Sequence, residues 1–273
     1  MSNIILSAGV RSNLLQLQQT SDLITQTENR LATGKRVGSA LDNANSFFTA
    51  QGLDNRANDL SGLLDSMSNG VNTIQAANNG ITSITKLVQS AQALVSQAQQ
   101  ANNTTTQAAL ATQFNGLVTQ IGQLAGDSGF NGVNLLGGNT LTVTLNESGS
   151  STVAVTGVNY TNAQAAPLSV ANAANNWGGA ADITAASTAL SAALTSLQSE
   201  TQTLSSSLAM VQTRQDFTKS MISTLQSGSA SLTLADSNQE GANLLALQTR
   251  QQLSATALSL ASQADQNVLR LFR

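Results

Sequence analysis

Apolar residues recur along this chain at alternating steps of four and three, the spacing that keeps one stripe of a helix turned toward a partner. The pattern appears five times. The first run is Val10, Leu14, Leu17, Ser21, Ile24, Glu28 and Leu31. It predicts a helix over about residues 5–32, stopped at Gly34 of Thr33-Gly34-Lys35. The second run reads Leu53, Ala57, Leu60, Leu64, Met67, Val71, Ile74, Asn78, Ile81, Thr85, Val88, Gln92 and Val95. At about 1.5 Å per residue this is a helix on the order of 60 Å long. A short third run, Leu110, Phe114, Leu117, Ile121 and Leu124, follows Asn102-Asn103-Thr104, whose side chains suit a helix start. It is expected to fold back antiparallel to the second.

Helical spacing ends at Phe130-Asn131-Gly132-Val133-Asn134, where Asn-Gly marks a turn, and Gly137-Gly138 marks another. Leu141, Val143 and Leu145 then alternate with Thr142 and Thr144, and Val153 and Val155 with Thr152, Ala154 and Thr156. Period two across a Ser/Gly turn predicts a small hairpin. Residues 159–181, with Pro167 and Trp177, are expected to be loop-like.

The four–three spacing returns as Leu190, Leu194, Leu197, Thr201, Leu204, Leu208, Val211, Gln215, Thr218, Ile222 and Leu225. After Gly228 a last run gives Leu244, Leu247, Gln251, Ser254, Leu258, Ala261, Asp265, Val268 and Phe272. An out-and-back path brings the first and last helices side by side. The expected fold is therefore mainly α: a long antiparallel helical rod, paired N- and C-terminal coiled-coil helices, and a small β-hairpin region at the far end. The expected segments are 1–42, 43–137, 138–181, 182–234 and 235–273. Polar residues on the terminal stripes (Ser21, Glu28, Gln251, Ser254, Asp265) weaken an isolated pair. They leave packing for other chains to complete.

Composition narrows the chemistry. Of 273 residues 9% are charged and 3% aromatic, and the formal net charge is −3. Scattered cations offer no patch for phosphates, so nucleic acid is not an expected partner. With no His and no Cys, Ser-His-Asp, Cys-His and His-based metal sites cannot be assembled within this chain. Asp54 and Asp59, or Asp22 and Glu28, sit on helices among polar neighbours and are expected to be solvated faces. Neither enzymatic activity nor a cofactor is expected. No stretch is apolar enough to insert in a membrane. Ile4-Ile5-Leu6 has no basic residue before it, so a signal-peptide-independent route is the expected one for any export.

Several segments resemble the flagellin family. Leu31-Ala32-Thr33-Gly34-Lys35-Arg36-Val37-Gly38-Ser39-Ala40-Leu41-Asp42-Asn43-Ala44 is similar to the segment joining the family's inner terminal helix to its first long helix. Asn69-Gly70-Val71-Asn72-Thr73-Ile74-Gln75 and Phe130-Asn131-Gly132-Val133 match two further landmarks, and Asn267-Val268-Leu269-Arg270-Leu271-Phe272-Arg273 resembles the closing segment. The similarity covers about residues 1–137 and 182–273 in family order.

The resemblance implies an extracellular subunit of the bacterial flagellar filament. It implies type III export with an escorting chaperone, and self-association beside hook-associated and cap proteins. It implies an inner tube packed through Leu14, Leu17, Ile24, Leu31, Leu244, Leu247, Leu258, Val268 and Phe272, with a connecting segment carrying Gly34, Arg36 and Asp42. The middle is short for the family. At the patch that innate receptors read in some members, Ser90 and Gln92 stand where arginines are expected, while Leu94 is kept. A hook–filament junction protein and a secreted helical binding module are the alternatives; the closing segment and the compact middle favour the filament subunit.

Overall fold

The computed structural model of the protein describes residues 8–271. In chain order its elements are α1 (Ala8–Thr33), α2 (Ala44–Gln100), α3 (Thr104–Asp127), β1 (Thr140–Thr144), β2 (Thr152–Thr156), a short 3-10 turn (Ala174–Trp177), α4 (Ala180–Thr233) and α5 (Ser237–Leu271). Each helical run becomes a helix and the alternating residues become strands, so the fold is mainly α as the spacing predicts. The chain divides into two compact units, Met1–Asn55 with Thr224–Arg273, and Arg56–Ser223. Both α2 and α4 contribute to each.

In the unit Arg56–Ser223, α3 starts where the polar turn predicts, with Asn103 Oδ1 accepting from Thr106 N at 2.8 Å. The helix runs back along α2. Near the turn Gln107 Nε2 donates to the Ala101 and Ala98 carbonyls at 3.1 and 3.4 Å, and at the other end Ser128 lies against Gly80. On another side α4 is antiparallel to α2, Gln215 Nε2 donating to Ser68 Oγ at 3.0 Å.

Facing two helices at once widens the stripe that α2 must bury. Its fully buried ladder includes Ile74, Ala77, Ile84, Val88, Ala91 and Ala98. The predicted positions Asn78, Thr85 and Gln92 are only half-buried. The intermediate rung falls one residue earlier than the four–three reading places it, and Ala77, Ile84 and Ala91 fill it. The same offset on α4 buries Ala193 and leaves Leu194 half-buried.

The hairpin is antiparallel with Leu141 opposite Val155 and Val143 opposite Val153. Val143 presses on Gly70 of α2, where a side chain would collide with it, and Glu147 pairs with Arg56 at 2.7 Å. The hairpin therefore lies back beside this part of α2 rather than beyond the α2–α3 turn.

Residues 159–181 are better fixed than the loop expectation allows. Tyr160, Leu168, Val170 and Trp177 are buried, and the Trp177 ring lies 4.9 Å from that of Phe114 on α3. Asn115 Oδ1 accepts from Ala173 N at 2.8 Å, and Gly122 lets the Thr161 carbonyl approach α3 more closely than a Cβ would permit. These side chains anchor singly, so no periodicity announces them.

One rung of α4 is occupied by Glu200, buried to 8% exposure between Leu197 and Leu204, with Oε1 unpartnered. Burial pushes its carboxyl above the ordinary glutamate value. Burial, followed by the nearby Glu200, pushes the Tyr160 phenol up to about 12, so it stays neutral.

Two outcomes follow from this core. Trp177→Ala is expected to cost about 3–5 kcal/mol in urea unfolding followed by circular dichroism. For Glu200, the raised folded value means its stabilising contribution is whole below the ordinary glutamate value of 4.5 and is lost as pH rises through the folded value. Glu200→Gln should therefore be more stable than the parent at neutral pH, with the gap closing on acidification. A gap that does not vary with pH would show that this carboxyl does not titrate on unfolding.

Candidate assembly surface

In the other unit, α1 and α5 pack against each other in antiparallel order, starting from Arg30 Nη1 and Glu240 Oε1 at 3.3 Å. On α1 the buried or half-buried ladder is Val10, Asn13, Leu17, Thr20, Ile24, Thr27 and Leu31. On α5 it is Glu240, Leu244, Leu247, Gln251, Ser254, Leu258 and Ala261. Stepped in opposite directions, the two sets stay in register rung by rung.

The α5 ladder follows the predicted spacing, but that of α1 does not. Ser21 and Glu28 are exposed and Leu14 is 42% exposed, while Thr20 and Thr27 are buried in their place. The reason is chemical. Thr20 returns its hydroxyl to the Gln16 carbonyl at 2.8 Å and offers its methyl to the seam, whereas Glu28 in that position would lose its water. Side chains are not described for Asp265 and Val268, and Phe272 lies outside the described residues.

The connecting segment is braced by backbone. Gly34, at φ +67°, turns the chain out of α1 in a conformation that costs a glycine little. The amides of Arg36 and Val37 then donate to the Thr233 carbonyl at 2.8 and 3.1 Å, and Ala235 N donates to the Gly34 carbonyl at 3.0 Å. Val37 is buried.

Asp42 Oδ2 accepts from Ser39 N, Gly38 N and Ser39 Oγ at 2.9, 3.0 and 3.1 Å. These bonds, the Ser39 amide foremost, hold its carboxyl below the usual aspartate value. Arg36 reaches instead toward the Leu232 carbonyl at 3.5 Å. The two residues therefore serve different parts of the segment. Beside Asp42, Leu41 is 98% exposed.

A second apolar face exists on α5. Leu245, Leu253 and Leu260 are 69, 66 and 62% exposed, and at 100° per residue they cluster roughly opposite the seam with α1. Leu15 and Leu23 of α1 are likewise exposed. Sequence reasoning missed these positions because they break the four–three spacing. Their one signal is leucine on a helix face with no ladder of its own. A groove of about 600 Å³ lies between α1 and the connecting segment, walled by Leu23, Gln26, Arg30, Lys35 and Asp42 among others.

Ser90, Gln92 and Leu94 lie far along α2 in the other unit. Ser90 is exposed and bonds its own helix through the Lys86 carbonyl at 3.0 Å; Gln92 and Leu94 are half-buried. Lys86 is the sole cation between Arg56 and Arg214. Among the described residues no three acidic side chains gather as metal ligands, and Asp22, Glu28, Asp54 and Asp59 are exposed. No described helix is long and apolar enough to cross a membrane.

Unpaired leucine faces on long paired helices are the mark of a chain that packs against others, and comparison with known proteins agrees. Residues 6–140 match the profile of the bacterial flagellin N-terminal helical region. Flagellin FljM of Caulobacter vibrioides is 31% identical over 282 aligned residues that cover all of this chain and 99% of that protein. A flagellin of Brucella melitensis is 30% identical with both chains covered in full. Flagellin A of Rhizobium meliloti is 38% identical over 120 residues, 42% of this chain and 30% of its own length. Similarity that runs end to end, on a fold of paired terminal helices, places the chain in the flagellin family, the structural subunits of the bacterial flagellar filament.

Proposed function

We propose that this flagellin polymerises by burying the outer face of α5, with Leu41 and the exposed leucines of α1, against neighbouring copies. The observation that carries this is the pair of apolar faces on α5, of which α1 covers one and leaves Leu245, Leu253 and Leu260 in water. Burying a leucine contributes about 1.5–3 kcal/mol. Repeated in every subunit, three such residues supply a large share of what a polymer contact needs.

On this reading residues 1–42 and 235–273 form the inner tube, 43–137 and 182–234 the wall, and 138–181 a small outer region. The seam residues Leu17, Ile24, Leu31, Leu244, Leu247 and Leu258 hold α1 to α5 so that the outer face is presented correctly, and Leu14 adds to the exposed set. Gly34, Arg36 and Asp42 set the path between the tubes. The subunit performs no catalysis. It leaves the cell by the flagellar type III route, escorted by a chaperone, and meets hook-associated and cap proteins at the filament ends.

Seeded growth tests the assignment. Depolymerised protein added to filament fragments should extend tubes visible by electron microscopy. Leu253→Asp combined with Leu260→Asp should stop extension with helix content unchanged, because it places charge in a buried contact. Normal filaments from that variant would overturn the outer-face assignment. Leu258→Asp should instead lower helix content as well as assembly, since Leu258 lies on the seam. Removal of residues 236–273 should abolish growth. With neutral Ser90 and Gln92 in place of the expected arginines, the protein should also stimulate Toll-like receptor 5 weakly. A reporter-cell assay showing potency equal to an arginine-bearing flagellin would refute that.

A further inference from the structure

Four Asn-Gly pairs occur in the sequence: Asn69-Gly70, Asn79-Gly80, Asn115-Gly116 and Asn131-Gly132. Such a pair can convert spontaneously, because glycine has no Cβ to keep its amide nitrogen from the preceding side chain. The fold treats the four very differently. Gly70 and Gly80 lie within α2 and Gly116 within α3. There the glycine N–H is committed to a helical hydrogen bond and ψ is fixed near −42°. Gly70 and Gly80 are also sealed by Val143 and Ser128.

Asn131 and Gly132 instead form the two-residue tip of a tight turn, with φ +47° and +81°. Phe130 and Val133 close it through two backbone bonds of 2.9 and 3.0 Å. Both tip residues are exposed, and nothing lies within 4 Å of where a Gly132 Cβ would stand. Neither the Gly132 N–H nor the Asn131 side-chain amide bonds any described residue. Only the two flanking bonds need to open for the tip to change conformation, whereas the helical pairs require a packed helix to unravel.

We propose that Asn131 is a site of succinimide-mediated deamidation in the folded protein, the other three Asn-Gly pairs being protected. Gly132 N attacks Asn131 Cγ, forming a C–N bond. The bond from Cγ to the side-chain nitrogen breaks, and ammonia leaves carrying the displaced proton. Water then adds to the five-membered imide. Opening of the ring gives aspartate or isoaspartate according to which C–N bond is cut: attack at the side-chain carbonyl cleaves the nitrogen from Cγ and restores the ordinary backbone as aspartate, and attack at the main-chain carbonyl cleaves the nitrogen there and reroutes the backbone through Cβ as isoaspartate. The balance is one water consumed and one ammonia released, with no change of oxidation state. Each event adds one negative charge to a chain whose formal net charge is −3. The isoaspartyl form also lengthens the turn by one backbone atom and disturbs its closure next to Asn134. That side chain ties the C-terminal turn of α3 through bonds of 2.8 and 2.9 Å to the Ala125 and Gly126 carbonyls. The modification stands independently of the assembly surface, and its extent would record the age of a long-lived subunit.

The test incubates the full chain, folded and in parallel denatured, in warm, mildly alkaline water enriched in oxygen-18. Peptide mapping and isoaspartyl-methyltransferase labelling then locate the products. In the denatured chain all four pairs should react. In the folded chain the label should fall on residue 131, exceeding each of residues 69, 79 and 115 by about tenfold or more, as a difference in local opening of ~1.4 kcal/mol would set. Asn131→Gln should remove the folded-state label while leaving the circular dichroism unchanged. The proposal is overturned if residue 131 keeps its amide in the folded chain as fully as the three helical asparagines, or if all four react alike.

Discussion

The unit Arg56–Ser223 depends on a single demand: α2 must present one continuous apolar surface to two antiparallel helices at once. A lone helix with so few charged side chains and so many Ser, Thr and Asn residues would be marginal in water. Packing against α3 and α4 makes it stable, and small residues make that packing close. Ala77, Ala91 and Ala98 are buried on α2, Ala111 and Ala125 on α3, and Ala193 on α4. Many of the hydroxyls along the helices are turned back onto their own backbones, as Thr85 does to Ile81 at 2.8 Å and Thr201 to Leu197 at 2.8 Å.

The unit at the chain ends solves a different problem. Its two helices share a seam in which leucines alternate with Thr20, Thr27, Gln251 and Ser254. Such a seam is specific in register but modest in strength, because polar rungs contribute less than apolar ones. What α5 gains from α1 is therefore mainly orientation. Backbone bonds between residues 34–37 and 233–235 fix where the pair begins, and Asp42 shapes the segment that leads into α2. Hydrophobic gain is left over for association, which is what a polymerising subunit requires.

Most of this was legible in the sequence, and the failures have physical causes. Long four–three runs announce helices reliably, and Asn103 and Gly34 mark boundaries because their chemistry at a cap or a left-handed turn is local. Which rung faces the partner is not local. The ladder of α1 passes through Thr20 rather than Ser21, and that of α2 through Ile84 rather than Thr85, because the partners' positions decide which edge of a broad stripe is covered. Trp177 and Tyr160 could not be placed because irregular backbone has no period. Of the proposed assembly surface, the seam between α1 and α5 was visible; Leu245, Leu253 and Leu260 were not, since an apolar residue outside the repeat looks like noise until the repeat's face is known.

Charge contributes little to any of this. Among the described residues the ion pairs are Arg30–Glu240, Arg56–Glu147 and Asp216–Lys219, and the last two are largely exposed. Cohesion comes instead from apolar burial and uncharged hydrogen bonds, which a salt atmosphere hardly screens. A structure held together in this way keeps nearly the same internal energetics in fresh water and in brine. For an appendage bathed directly by its surroundings, that amounts to built-in indifference to salinity.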